Sequence, residues 1–178
     1  MRKIIFLLIA LNCFAISLAD INKAIENQEY SKVCNNLVYD LAVKNQDDGL
    51  MNLYGIACLR TDYINKLSAV IIALRNSKEA RANAVYYSTI LYKKKLLHSA
   101  LVDNLNISSI KLPKCDYILS DIYDDYILGN YIKENDKYIF RYNDKIYEMS
   151  LRFDKPFTKM VLTILNSNNQ ILEVKEYW

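Results

Sequence analysis

The sequence predicts an α+β protein in which N-terminal antiparallel helical hairpins precede a small four-stranded antiparallel sheet. Two periodicities support this fold class. Apolar residues recur at helical spacing over much of 20–110, and they alternate with polar residues from Tyr131 onward. Pro113 stands between the two patterns. With 178 residues, 52% of them hydrophobic, the chain is long and apolar enough to bury a core of its own.

The start of the chain has the organisation of an export signal. A short basic stretch opens it, an apolar run follows over 4–16, and Ser17 and Ala19 supply small residues just before Asp20. This run is shorter than the ~20 residues of a membrane-spanning helix. We therefore expect a signal peptide over 1–19 and a periplasmic or secreted mature protein that begins at Asp20. An uncleaved membrane anchor and a lipoprotein are the alternatives.

Four helices are predicted after a short amphipathic stretch. Each begins at a polar residue suited to an N-cap, and these caps are Ser31, Asp48, Asp62 and Ser77. The fourth helix runs to about Val102, and its apolar residues cover most of its circumference. Such a helix is usually buried on several sides, so we expect it to be the central element of a helical domain over 20–110.

Two cysteines lie symmetrically about a predicted turn. Cys34 and Cys58 are each 12 residues from Gln46, which sits in the polar stretch between the first two predicted helices. If those helices are antiparallel, equal distances from the turn bring the cysteines level and within reach of a disulfide. We expect a Cys34–Cys58 disulfide and an unpaired Cys115. Two ordinary buried thiols are the alternative.

The helical half carries an internal repeat of 33 residues. Glu29-Tyr30 recurs as Asp62-Tyr63. Leu53-Tyr54-Gly55 recurs as Tyr86-Tyr87-Ser88. Over roughly 28–95 the chain therefore resembles the tetratricopeptide and Sel1-like helical repeats, although the closing proline of the former is absent. The resemblance implies stacked helical hairpins that hold a segment of a partner protein in a groove.

One more helix precedes the sheet in the predicted C-terminal module, 111–178. Its apolar face runs from Cys115 to Tyr126, and Gly129 is expected to end it. This helix is expected to cover the apolar face of the sheet.

The first predicted hairpin turns at Asn143-Asp144. Counting outward from a two-residue turn pairs Phe140 with Tyr147 and Tyr138 with Met149. Both strands then direct their apolar residues to the same face, so the register is self-consistent.

The second predicted hairpin turns at Ser167-Asn168-Asn169. A three-residue loop places Leu162 opposite Val174 and Ile164 opposite Leu172. The four strands together are expected to have one apolar and one polar face.

The charge distribution argues against a nucleic-acid-binding protein. Removal of Arg2 and Lys3 leaves 21 of the 23 basic residues against 20 acidic ones. Polyanion-binding domains are usually strongly basic on one face. The one basic run, Lys93-Lys94-Lys95, is interpreted as a solvated helix face rather than a phosphate contact.

The residues that most catalytic sites require are scarce. His98 is the only histidine and is interpreted as a partly exposed helix residue. Asp121, Asp124 and Asp125 form the one acidic cluster, but their spacing is not that of a calcium loop, so they too are interpreted as a solvated helix face. The sequence contains no G-x-S-x-G, H-E-x-x-H or C-x-x-C motif. We expect no enzymatic activity, no cofactor and no metal.

Tyrosine, with 15 residues, is the remaining feature of the composition. Its large ring and polar tip make it common at protein interfaces. The candidate partner-binding residues lie on the helices, and they are Tyr54, Tyr63, Tyr86, Tyr87 and Tyr92. We expect an exported protein that binds another protein in the bacterial cell envelope. The alternative is a periplasmic ligand-binding or inhibitor protein that uses a Tyr-rich face of the sheet.

We predict that the exported form begins at Asp20, because the residues before it match a cleavage site. N-terminal sequencing of protein recovered from outside the cytoplasm tests this. A cytoplasmic protein that retains Met1 would contradict the export signal.

Overall fold

Helices form the first part of the chain and an antiparallel sheet the second, in a computed structural model that describes residues 16–178. The α+β class is therefore confirmed. Most of the predicted signal peptide lies outside the described residues. Its last residues, Leu18 and Ala19, form the first turn of a helix that Ser17 caps through a reciprocal contact with Asp20. Within the described part of the chain, no helix has the length and apolar character needed to cross a membrane.

One long helix dominates the helical part. The helices are α1 Leu18–Glu26, α2 Tyr30–Val33, α3 Asn36–Asn45, α4 Asp48–Arg60, a 3₁₀ turn Ile64–Lys66, α5 Leu67–Ala73, α6 Lys78–Asp103 and α7 Ile118–Leu128. The hydroxyl of Ser77 accepts the Ala80 N–H at 2.9 Å, which confirms the predicted start of α6. This helix packs against α4, α5, α7 and the fourth strand of the sheet, so it is central as predicted.

The other predicted N-caps are wrong. Ser31 lies inside α2, and the helix predicted from it is interrupted before Asn35, which caps α3 instead. Asp48 is the first residue of α4, and its neighbour Asp47 supplies the cap. Asp62 adopts a left-handed φ of 60° ahead of the 3₁₀ turn. Adjacent polar residues compete for a cap, and the one in extended conformation wins because its side chain reaches the free N–H groups.

A disulfide joins Cys34 and Cys58, as predicted. Their Cα atoms are 4.8 Å apart. Gln46, with a φ of 50°, ends α3 and reverses the chain. Cys34 lies at the break between α2 and α3, and both of these helices pack against α4. Among residues 16–178, Cys115 forms no disulfide, in agreement with the prediction.

The sheet has five strands rather than the predicted four. They are β1 Ile132–Glu134, β2 Lys137–Tyr142, β3 Lys145–Asp154, β4 Phe157–Asn166 and β5 Ile171–Tyr177. The strands follow one another in sequence order, each antiparallel to the next. β1 consists of three exposed residues. A strand of this length is too short to show the alternation of apolar and polar residues from which strands are predicted. A turn with Asn135 at a φ of 53° connects it to β2.

The register of the first hairpin is confirmed. Phe140 lies opposite Tyr147, and Tyr138 lies opposite Met149. Phe140 and Met149 are each 1% exposed within the main core. A two-residue turn determines which residues of the two strands lie opposite each other, so this pairing could be predicted from the sequence.

The register of the second hairpin is wrong by one residue. Leu162 lies opposite Lys175, and Ile164 lies opposite Glu173. A bulge makes Leu172 an extra residue of β5, so every later residue of that strand moves to the other face. As a result Tyr177 enters the core, whereas Val174 is 48% exposed.

One hydrophobic core includes residues from both the helices and the sheet. Leu97 of α6, Ile122 of α7 and Leu162 of β4 are all fully buried in it. His98 of α6 reinforces this junction, since its Nε2 donates to the Thr158 carbonyl oxygen at 2.8 Å when protonated there.

Loss of the disulfide should lower the free energy of unfolding by roughly 3 kcal/mol. The bridge closes the loop between Cys34 and Cys58 in the unfolded chain, and without it the unfolded chain gains conformational entropy. The double variant Cys34→Ala, Cys58→Ala tests this by denaturant titration. Cys115→Ala is the matched control and should cost less, since that cysteine is partly exposed and forms no disulfide with any residue of 16–178. Equal losses in the two proteins would contradict the stabilising role of the bridge.

Candidate functional site

The structure separates the five predicted partner-binding tyrosines. Tyr54 and Tyr87 are 3% and 1% exposed. Tyr63, just before the 3₁₀ turn, and Tyr92, on α6, are about half exposed and lie on different segments. Tyr86 is partly buried, and its hydroxyl donates to the Asp116 carboxylate. These residues therefore do not form one surface, and the two buried rings stabilise the helical packing.

Close packing explains the burial of Tyr87. A Cβ atom on Gly55 would lie 3.0 Å from its ring, so α4 can approach α6 only because this position lacks a side chain. The Tyr87 hydroxyl donates to the Asn52 side chain at 2.8 Å. Burial raises the pKa of Tyr87 to about 12, so its hydroxyl stays protonated as a donor.

The tyrosines of the sheet pack inward against aromatic neighbours. Tyr138 of β2 lies 5.5 Å from Tyr126 of α7 and 5.1 Å from Tyr131, ring centre to ring centre. Tyr142 and Tyr147 form another pair at 5.2 Å. All five rings contact the main core. The aromatic face of the sheet is therefore covered by α7 in the described contacts and is not presented to a ligand.

The interpretation of the lysine run as a solvated face is wrong for two of its three members. Lys93 and Lys94 are 0% and 1% exposed, whereas Lys95 is exposed. Lys93 donates to Asp124 and to Ser120, both at 2.7 Å. Because α6 is buried on several sides, Lys93 and Lys94 are enclosed and only Lys95 of the three reaches solvent.

Lys94 is buried beside a neutral partner. Its Nζ donates to the Asn65 side-chain oxygen at 2.9 Å, and the Asn65 amide donates to the main-chain oxygen of Trp178 at 2.8 Å. Desolvation, together with repulsion from Lys95, lowers the pKa of Lys94 to about 7. Among residues 16–178, no carboxylate forms an ion pair with Lys94.

Asp62 anchors a second polar cluster nearby. Its carboxylate accepts from the Tyr117 hydroxyl at 2.6 Å and from Lys175 at 2.9 Å. The hydroxyl groups of Tyr117 and Tyr177 are 3.1 Å apart. Burial raises the pKa of both tyrosines, which keeps them protonated. The cluster joins the turn before α5 to β5 and to the segment before α7.

A pocket of about 170 Å³ lies between the 3₁₀ turn, α6 and β5. Its lining residues are Asp62, Tyr63, Ile64, Asn65, Lys66, Lys94, Glu176, Tyr177 and Trp178. Both side-chain carboxylates in the lining already have cationic partners, since Asp62 pairs with Lys175 and Glu176 pairs with Arg152. Lys66 donates to a main-chain carbonyl. Lys94 is therefore the buried charge of this pocket that lacks an opposite charge.

The second notable surface is the outer face of the sheet, which is not the polar face that the sequence predicted. Ile146, Leu165 and Ile171 form one row across three strands. Leu165 is buried by its neighbours but does not belong to the main core. On β5, which has no strand beyond it in the described part of the chain, Leu172 and Val174 are 52% and 48% exposed.

Comparison with known proteins identified no relative: no family model, no curated protein and no solved structure matches the chain. The resemblance to tetratricopeptide repeats therefore stays a prediction. Within residues 16–178, no three His, Cys, Asp or Glu side chains are grouped so that they could hold a metal ion. The sequence analysis missed Lys94 as a site residue, although its position on a helix that is apolar nearly all round was the available signal.

We expect the stability of the protein to rise from about pH 7 to about pH 9, since the unfolded chain keeps a proton on Lys94 that the folded chain has released. Lys94→Met should remove this part of the rise. Lys44→Met is the matched control, because that lysine of α3 is exposed and does not line the same pocket as Lys94. Urea titrations at several pH values measure the effect. Parallel pH profiles for Lys94→Met and the unsubstituted protein would contradict a buried, partly neutral Lys94.

Proposed function

We propose that the chain is an exported protein without catalytic activity that binds another protein in the bacterial cell envelope. The observation that carries this proposal is the exposed apolar edge strand β5. Ile171 is 66% exposed, and Leu172 and Val174 are about half exposed. The exposed apolar residues of the helices are instead scattered over α1, α3, α5, α6 and α7.

An edge strand offers unpaired main-chain groups to an extended segment of a partner. Natural sheets usually protect such edges with charges, prolines or bulges. β5 has a bulge at Leu172 and one exposed charge, Glu173, but Ile171, Leu172 and Val174 beside them are exposed apolar residues. Continued exposure of such an edge favours aggregation, so a partner that covers it would stabilise the exported protein.

The chemistry of β5 defines the partner segment. It should be extended and should carry apolar residues that continue the row of Ile146, Leu165 and Ile171. The Glu173 side chain, which is 53% exposed, lies on the opposite face of the strand and already pairs with Lys175 at 2.7 Å, so it does not require a charge from the partner. We therefore commit to an extended, apolar segment.

Two observations support export. The predicted signal peptide is the first. The second is the Cys34–Cys58 disulfide, since structural disulfides form mainly in oxidising compartments. The alternative function, ligand binding by a Tyr-rich sheet face, has less support because α7 packs against that face.

Charges on β5 should abolish partner binding and leave the fold intact. We expect the double variant Leu172→Lys, Val174→Lys to bind the purified partner at least tenfold more weakly, about 1.4 kcal/mol. Both positions are exposed, so its thermal unfolding should change little. Ile72→Lys, at an exposed apolar position of α5, is the matched control and should bind normally.

The measurement has two stages. The full chain is crosslinked to its neighbours in exporting cells, and binding is then reconstituted with the purified partner and followed by calorimetry. Equal binding by the β5 variant and the unsubstituted protein would contradict the proposal. So would a dimer of the chain alone that the β5 substitutions dissociate, because the edge would then serve self-association.

A further inference from the structure

We propose that the pocket beside Lys94 binds a small carboxylate with an apolar body of about the size of a benzene ring. This site lies at the C-terminal end of β5, away from the exposed apolar residues Ile171, Leu172 and Val174, and its ligand is a small molecule rather than a protein. The inference rests on the charge balance of the pocket, on its volume and on its aromatic walls.

The charge balance calls for an anion. Lys94 is 1% exposed, and the acceptor that it has is the neutral Asn65 amide. A buried ammonium group without a counter-charge loses much of its hydration energy. Lys93, its neighbour on α6, shows the usual solution, since Asp124 pairs with it at 2.7 Å. A carboxylate in the pocket would do the same for Lys94.

The hydrogen-bonding capacity of Lys94 is also unfilled. An ammonium group has three N–H donors, and Lys94 has one acceptor within the described residues. The carboxylates that line the same pocket are occupied, Asp62 by Lys175 and Glu176 by Arg152. A ligand carboxylate can accept the remaining donors without displacing a protein ion pair.

The volume of the pocket and the residues that line it indicate the size and the apolar character of the ligand body. A volume of about 170 Å³ is close to the ~150 Å³ of a cavity that admits benzene. Ile64 and the rings of Tyr63, Tyr177 and Trp178 supply apolar and aromatic surface. Tyr63 and Trp178 are 48% and 39% exposed, so they lie at the opening toward solvent. An aromatic ring between them would gain contact with both apolar and aromatic groups.

Binding should depend on pH. The charged and titratable groups around Lys94 are Lys93, Lys95, Asp62, Tyr63, Lys66, Glu176 and Tyr177. Burial leaves Lys94 with a pKa of about 7, so above this pH the free protein must take up a proton to bind an anion. Affinity for a carboxylate should therefore fall by about tenfold for each pH unit above about 7.

Benzoate is the probe for the test, with the full chain as the receptor. Calorimetry and ligand-observed NMR at about pH 6 should detect saturable binding of one benzoate per chain. Lys94→Met should weaken this binding by at least tenfold, whereas Lys44→Met, which removes an exposed lysine of α3 outside the pocket lining, should leave it unchanged. Benzyl alcohol, which has the same ring without the charge, should bind both Lys94→Met and the unsubstituted protein weakly and equally.

The pH profile of the unsubstituted protein is a second readout that needs no variant. Three outcomes would overturn the proposal: no saturable binding of benzoate at millimolar concentration, equal affinity in Lys94→Met, or an affinity that does not fall between about pH 6 and pH 9.

Discussion

The burial of α6 on several sides is the constraint on which the rest of the structure depends. The polar side chains on the buried sides of this helix must find partners inside the protein, and three of them each bind a different element. Lys93 pairs with Asp124 of α7, Lys94 donates to Asn65 of the 3₁₀ turn, and His98 contacts the carbonyl of a β4 residue. These contacts set how the helices meet the sheet, since apolar packing by itself is not directional.

The two buried lysines solve the same electrostatic problem differently. Lys93 has a carboxylate partner and donates to a hydroxyl, so its charge is balanced within the protein. Lys94 has a neutral amide partner and lines a pocket. A stabilising role would be served better by an apolar residue at that position, because an unbalanced buried charge costs free energy. Perturbed titratable groups in pockets are more common at functional sites, which is why Lys94 rather than Lys93 supports a ligand-binding hypothesis.

One extra residue in β5 has consequences for function as well as for the fold. Side chains alternate between the faces of a strand, so the bulge at Leu172 directs Tyr177 into the core beside Tyr117 and Asp62. The same shift turns Val174 toward solvent on the outer face. A polar cluster and an exposed apolar edge therefore arise from a single local irregularity.

The sequence by itself determined the features that depend on local pattern and turn chemistry. These include the α+β order, the start of α6 at Ser77, the end of α7 at Gly129, the Cys34–Cys58 bridge and the register of Phe140 against Tyr147. Each follows from a cap, a turn length or a periodicity within one or two neighbouring elements. Local pattern did not show whether Asp47 or Asp48 caps α4, because both residues have a side chain that can accept the free N–H groups.

Only the tertiary structure decided which polar and aromatic residues are enclosed. Periodicity marks the apolar side of an element, but it does not show what covers the remaining sides. Lys93, Lys94, Tyr54 and Tyr87 therefore resembled surface residues in the sequence and are buried in the fold. The pocket beside Lys94 depends on contacts between residues up to 113 positions apart, such as Asn65 and Trp178, which no local pattern records. Its chemistry exists because packing brings a helix, a turn and an edge strand together around one unbalanced charge.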